Sequence, residues 1–520
     1  MVLKTKWLRR GLLGTAVASP LAAIRPAGAE APGLSATSFT TQPGDTVPAA
    51  HARDLVVRWG DRVTPDARAW NPRNPSAAAA ETQFGWDGLL LGLFSPPTGA
   101  DGVPRGILAV AHPTVDPAMA FPGGVDRPAV AAVMQGASLI NVEFQRERWV
   151  VSEGGYQSRR LTANTLCRIS GRAAATVGEA VRGLLHVSGG CWTPWGSLLL
   201  AEGDPTAWAA RLREAEPRLA ETGGFGWVAE LDGTEPTSLP VKRTALGRFG
   251  HGGVAAALTR DGRAVVYMTD RRPGGFLFRF VSDGAALSQN ALDAGTLSVA
   301  RVEGEMLRWI DLPRDAGTLA DPTGTAARFG AAAFQHPSGL DVDRRDDTLF
   351  LACHGSPGTR PAVPGYVLQL SPRAHDHGAD TAALSVVVQG GPAPRGPVQG
   401  GVPVNHPDTV AADGTGRIWI GTDRGGRIGP VPDLLFVCDT TGPRRGVPIP
   451  FYAAPRGAAI GGAAVSPDGT ALFAMVRTPG AEPGASWDRP GTTWPAFDAA
   501  VPPRTALVTF SRLRGGRVGT

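Results

Sequence analysis

A chain of 520 residues with 69 glycines and 46 prolines is interrupted too often for long helices, while 42% hydrophobic residues exclude simple disorder. The formal charge of +5 belongs to the first 29 residues, where Lys4, Lys6, Arg9, Arg10 and Arg25 face no acid; beyond them 46 bases balance 46 acids, which excludes a general nucleic-acid surface. The length is ample for a large closed β architecture with one continuous core.

Residues 1–29 read as an export signal: a basic start from Lys4 to Arg10, a mildly apolar stretch from Gly11 to Ile24, and Ala27-Gly28-Ala29 as the cleavage site. The pair Arg9-Arg10 before Gly-Leu-Leu has the form of a twin-arginine signal, so the mature chain is expected outside the cytoplasm, periplasmic or extracellular. No later segment has the ~20 apolar residues of a spanning helix, and a monomer without a stable membrane span is expected. Residues 30–53 read as a linker, and 54–520 as one domain.

Within that domain, "PSAAAAETQ" near the start reads as a flexible or extended loop. The stretch "GGCWTPWGSLLLAEGD" (189–204) sets a turn, a thiol and two tryptophans before an apolar strand ending in Glu202. Pro205 to Glu221 is the one convincing helix, with Trp208, Leu212 and Leu219 on one face and Arg213 and Glu214 solvated. From there the chain repeats one design, an Asp/Gly turn feeding a short alternating apolar run: "TRDGRAVVYMTD" (259–270), "DRRDDTLFLACHG" (343–355), "DGTGRIWIGTD" (413–423) and "SPDGTALFAMV" (466–476). "HPSGLDVD" at His336 and "HPDTVAAD" at His406 start matching units 70 residues apart. Between them His375 and His377 have a spacing that would suit one strand face but read as a solvated loop, and "TPGAEPGASWDRPGTTWP" (478–495) reads as another extended one. Such units predict an all-β propeller of irregular blades with loop insertions and a short helical insertion. Ligands of a propeller sit at the mouth of its central channel, on strand ends and loops.

The four cysteines, Cys167, Cys191, Cys353 and Cys438, have no C-x-x-C spacing; an oxidising compartment would allow three pairings, among which the sequence does not choose. No G-x-S-x-G elbow, H-E-x-x-H helix, P-loop or Rossmann fingerprint is present, which removes those enzyme classes.

Several collinear tracts, "DLVVRWGD" (54–61), "RRLTANTLCRISG" (159–171), "TPWGSLLLAEG", "LPVKRTALGRFGHGG" (239–253), "VVYMTDRRPGGFLFRFVSDG" (265–284) and the final "PDG…TTWPAF", resemble the PhoX-type alkaline phosphatases. The resemblance runs from about Asp54 to Ser511. It implies an exported, twin-arginine-dependent, six-bladed propeller that hydrolyses phosphate monoesters at iron and calcium ions in its channel, with a small phosphate ester as partner and no nucleic acid.

Against that pattern, many acids are missing. His112-Pro113 stands where the family has His-Glu, Ala201-Glu202-Gly203 where it has Cys-Glu-Glu, His251-Gly252-Gly253 for "HEG", and His336-Pro337-Ser338-Gly339 for "RPED". Ala459 replaces a glutamate, and Ser188 stands at the family's metal-binding cysteine, with Cys191 nearby but out of register. The surviving metal-ligand candidates are Glu202, Asp270, Asp408 and Asp423; Cys191, Trp195, His251, His336, His354 and His406 are pocket candidates, and no catalytic residue is assigned. Asp270 and Asp423 end strands and read equally as turn caps, while His251 reads first as a core or hydrogen-bonded histidine. Four carboxylates suffice for one calcium, whose shell takes 6–8 oxygens, but not for a larger cluster. Two functions follow: a metal-dependent phosphoric-ester hydrolase using calcium or iron, or a catalytically inactive, repurposed propeller that binds a ligand or partner at its channel mouth.

Overall fold

Each segment that alternates apolar and polar residues forms a strand, and consecutive strands pair antiparallel into twisted sheets. The computed structural model of the chain describes residues 40–153, 155–356, 362–391, 403–425, 429 and 431–519; residues 1–29, read as an export signal, lie outside them. Strands make up 41% and helices 12% of the structure.

The sheets form six blades. Blade I begins with inner strand Leu89–Phe94, followed by Arg105–His112, Gly136–Gln145 and Arg148–Val151. Blade II runs Val187–Trp192, Leu198–Glu202, Val228–Leu231, Val241–Arg243, and then acquires Leu166–Ser170 as a parallel neighbour. Blade III starts at His251–Leu258 and Arg263–Asp270, and blade IV at Pro337–Asp343 and Thr348–Cys353; their outer strands Met306–Asp311 and Thr381–Gln389 pair, fusing the two into one sheet. Blade V is Pro407–Ala412, Arg417–Thr422, Leu434–Asp439 and Pro448–Ala453. Blade VI takes Ala459–Val465, Ala471–Arg477 and Ala506–Arg512 from the C-terminal part of the chain and its outermost strand, His51–Arg58, from the N-terminal part. That last pairing closes the ring by hydrogen bonds between the two ends of the domain.

Period-two alternation explains why blades stack. Leu199 and Ala201 face blade III and join Val254, Ala256 and Val266, whereas Leu198 and Leu200 face blade I and join Ala109, Ala111 and Leu139. Every blade interface holds such an apolar cluster, so each sheet buries both faces. Glycines let the inner strands crowd together around the channel: a Cβ on Gly189 would lie 2.2 Å from the Gly252 carbonyl oxygen, and one on Gly253 2.3 Å from that of Ser338.

Helices Pro117–Ala120, Pro128–Met134 and Thr206–Leu212 form a layer beside blades I and II, with Trp208, Leu212 and Leu219 buried against Phe121 and Leu185. Ser76 caps a short helix, Ala77–Ala80, inside the alanine-rich stretch expected as a loop; four alanines with a capping hydroxyl suffice for one turn. All four cysteines are free thiols. Among the described residues no helix is long and apolar enough to cross a membrane.

Candidate functional site

Antiparallel pairing brings the start of each inner strand beside the end of the second strand, and parallel packing of the inner strands gathers all of these ends at one mouth. Asp87 and His112 come from blade I, His186 and Glu202 from blade II, His251 and Asp270 from blade III. Blade IV supplies His336 and His354, blade V His406, Asp408 and Asp423, and blade VI Arg477. In all six blades the inner hairpin changes register, in most of them close to this end. Such irregularities re-aim side chains. His186, His336 and His406, each just before an inner strand, have φ of 55°, 53° and 56°, the left-handed region that a non-glycine residue enters at a cost.

Basic side chains bind the acids of this mouth. The Arg477 guanidinium donates through Nε and Nη2 to the two Asp87 oxygens, both at 2.9 Å, and through Nη1 to Asp423 Oδ2 at 3.1 Å; Asp408 Oδ2 lies 3.8 Å from Nη1. Arg271 Nη2 donates to Asp408 Oδ1 at 2.7 Å. Burial alone would raise the Asp87 and Asp408 carboxyls, but the facing guanidinium charges outweigh it and hold both below the usual carboxylate range. Asp270 differs: burial raises its carboxyl to about 6, and Arg272 Nε, 2.6 Å from Oδ2, is too poorly aligned to give that oxygen a hydrogen bond.

Glu202 lies inside blade II, fully buried. Its carboxylate accepts from Lys242 Nζ at 2.8 and 3.0 Å and from the backbone N–H groups of Leu185, Gly226 and Trp227. Cys191 packs its side chain against the core between blades II and III, where burial pushes the thiol up to about 12. Trp195 sits in the turn between Trp192 and Leu198, at the end of blade II away from the mouth, and its indole donates to Glu230. His251 donates Nδ1 to the Glu202 carbonyl and stacks 3.8 Å from Phe249; burial lowers its pKa to about 4, and Nε2 has no partner.

His336, His354 and His406 cluster at the mouth with ring centroids 5.3 and 5.4 Å apart. Burial, then the charge of Arg271, lowers His336 to about 4. His354 Nε2 donates to the Asp423 carbonyl at 2.6 Å, and His406 Nδ1 to the His354 carbonyl at 3.1 Å. The structure thus gathers Asp408, Asp423, His336, His354 and His406, sets Asp270 beside the same mouth, and keeps Glu202, Cys191 and Trp195 in other environments. Sequence reading missed Asp87, His186, Lys242, Arg271 and Arg477. A signal for the last two was present: each stands at the end of the second strand of its own blade, III for Arg271 and VI for Arg477, the place that Asp423 takes in blade V.

Below the mouth the channel narrows to a space of about 80 Å³ lined by Arg271, Asp408, Ser188 and the glycines of the inner strands. At two positions where acids are missing, a Cβ on Gly252 would press 2.9 Å from Arg271 Cβ, and Ser338 Oγ donates to the Asp408 carbonyl. Among the described residues no three His, Cys, Asp or Glu side chains stand together to share a metal ion. With the carboxylates of Asp87, Asp408, Asp423 and Glu202 held by arginine or lysine, this donor set does not fit an iron and calcium cluster.

These features define a six-bladed β-propeller with an ion-paired channel mouth. The profile of the alkaline phosphatase PhoX family matches residues 35–480, and the chain belongs to that family. PhoX of Pseudomonas fluorescens, solved with vanadate, a transition state analogue, aligns with a TM-score of 0.82 at 27% identity over 94% of this chain and 99% of that one. An α-L-arabinanase of Penicillium chrysogenum aligns with a TM-score of 0.38 at 11% identity, covering 89% of this chain and 99% of its own. A family AA12 carbohydrate-active enzyme of Trichoderma reesei gives 0.34 at 10%, covering 76% and 98%. No curated protein matches the chain.

Proposed function

We propose that this chain is an exported PhoX-family propeller that binds a small phosphate ester at its channel mouth without the metal-dependent hydrolysis its resemblance implies. One observation carries the reading: Arg477 stands among Asp87, Asp408 and Asp423, carboxylates from blades I and V at the mouth, and satisfies charge that a hard cation would otherwise have to meet. Arg271 supports the ligand class, since it lines the channel with a side chain 27% exposed, and a guanidinium suits a phosphate oxygen pair. The vanadate bound by the Pseudomonas relative is of the same chemical class.

The test is a phosphomonoester assay of the mature chain with iron and calcium supplied, run beside thermal melts with phosphate. The reading expects negligible turnover, a rise in melting temperature with phosphate, and loss of that rise in Arg271→Gln. Brisk turnover once the metals are added would overturn it.

A further inference from the structure

We infer that Arg477 is the built-in cation of the propeller, occupying by guanidinium a carboxylate site that takes a divalent cation only when the arginine is removed. This rests on the reading that the mouth holds no resident metal. Arg477 ends the second strand of blade VI, its side chain is 12% exposed, and its three donor nitrogens reach carboxylates from blade I on one side and blade V on the other. It therefore ties blade VI, in which the two ends of the domain pair, to its neighbours V and I. Asp87 is saturated: besides Arg477 it accepts from Thr114 Oγ1 at 2.7 Å and from the Gly88 N–H at 2.7 Å.

Asp408 is not saturated. Its side chain is fully buried, Oδ1 is taken by Arg271, and Oδ2 points toward Arg477 at 3.8 Å with no hydrogen bond at all. A buried carboxylate oxygen without a donor is an atom for which a cation is the natural partner. The flat guanidinium stands among the three carboxylates, and with it in place no three of the described acids, histidines and thiols group around one ion. Its loss would leave Asp87 and Asp423 without their guanidinium partner and Asp408 with Arg271 alone, an excess of negative charge among the three. A hard cation with oxygen ligands relieves that repulsion, and calcium, with its tolerant geometry, suits it better than magnesium.

The experiment compares wild type, Arg477→Lys and Arg477→Ala by thermal melting with EDTA, with about 10 mM calcium, and with the same magnesium, at constant ionic strength. Wild type and Arg477→Lys should melt at the same temperature in all three. Arg477→Ala should melt lower in EDTA and recover by on the order of 5 °C in calcium, with less in magnesium. If Arg477→Ala folds only poorly, the triple variant Arg477→Ala, Asp87→Asn, Asp408→Asn should fold and be indifferent to calcium. Calcium indifference of a folded Arg477→Ala, or an equal calcium response in the triple variant, would overturn this inference and leave the proposed function standing. A wild-type melt that falls on chelation would instead overturn the metal-free reading itself.

Discussion

Lys242 and Glu202 show what a residue-scale partner does in this protein. Both side chains are wholly buried, so removing the ammonium alone strands a carboxylate that retains three backbone donors but no counter-charge. Lys242→Met should cost about 3–5 kcal/mol in urea denaturation, and adding Glu202→Gln should recover most of it. Asp270 gives a pH signature of the opposite kind to Asp408. Its folded pKa of about 6 lies above the ordinary 3.8, so the folded chain holds the proton more tightly. The stability this confers is complete below about pH 4 and is lost as pH rises through about 6, by at most about 3 kcal/mol. Asp270→Asn should remove that fall, measured as the difference in melting temperature between variant and wild type from about pH 4 to about pH 7.

At the scale of elements, the ring depends on glycine in the inner strands. Gly253 has an ordinary φ, so its role is purely steric: a Cβ would stand 2.3 Å from the Ser338 carbonyl oxygen and 2.8 Å from the Leu340 nitrogen, backbone atoms that no rotamer change can move. Gly253→Val should therefore cost more than about 3 kcal/mol by forcing blades III and IV apart. Gly223, with nothing within 4 Å of its notional Cβ, should accept alanine within about 0.5 kcal/mol, and the pair of melts separates crowding from backbone effects.

The same elements explain what the sequence disclosed. The four Asp/Gly-led runs became the second strands of blades III to VI because turn chemistry and alternation are local, and each is written in about a dozen residues. The helix at Thr206–Leu212 was legible for the same reason. The electrostatics of the mouth were not. Arg477 meets Asp87 across 390 positions, Arg271 meets Asp408 across 137, and Lys242 meets Glu202 across 40, separations at which no pattern in the chain signals contact. A resemblance names the positions where acids are lost, such as Gly252 and Ser338, but says nothing of the bases that now answer the acids that remain.

For the whole molecule, the fold keeps the channel and the strand ends of a PhoX propeller while the charge at those ends is settled internally. Divalent ions need several oxygens free to turn toward them, and here most of those oxygens, Asp408 Oδ2 and Asp270 Oδ2 excepted, accept from Arg271, Arg477, Lys242 and backbone N–H groups. The most direct measurement is the metal stoichiometry of the mature wild-type protein, purified after expression with iron and calcium in the medium and analysed for both elements. Both should lie far below one ion per chain after gel filtration. Iron retained near stoichiometry would contradict a metal-free mouth, and would mean that its arginine-paired carboxylates exchange those partners for metal.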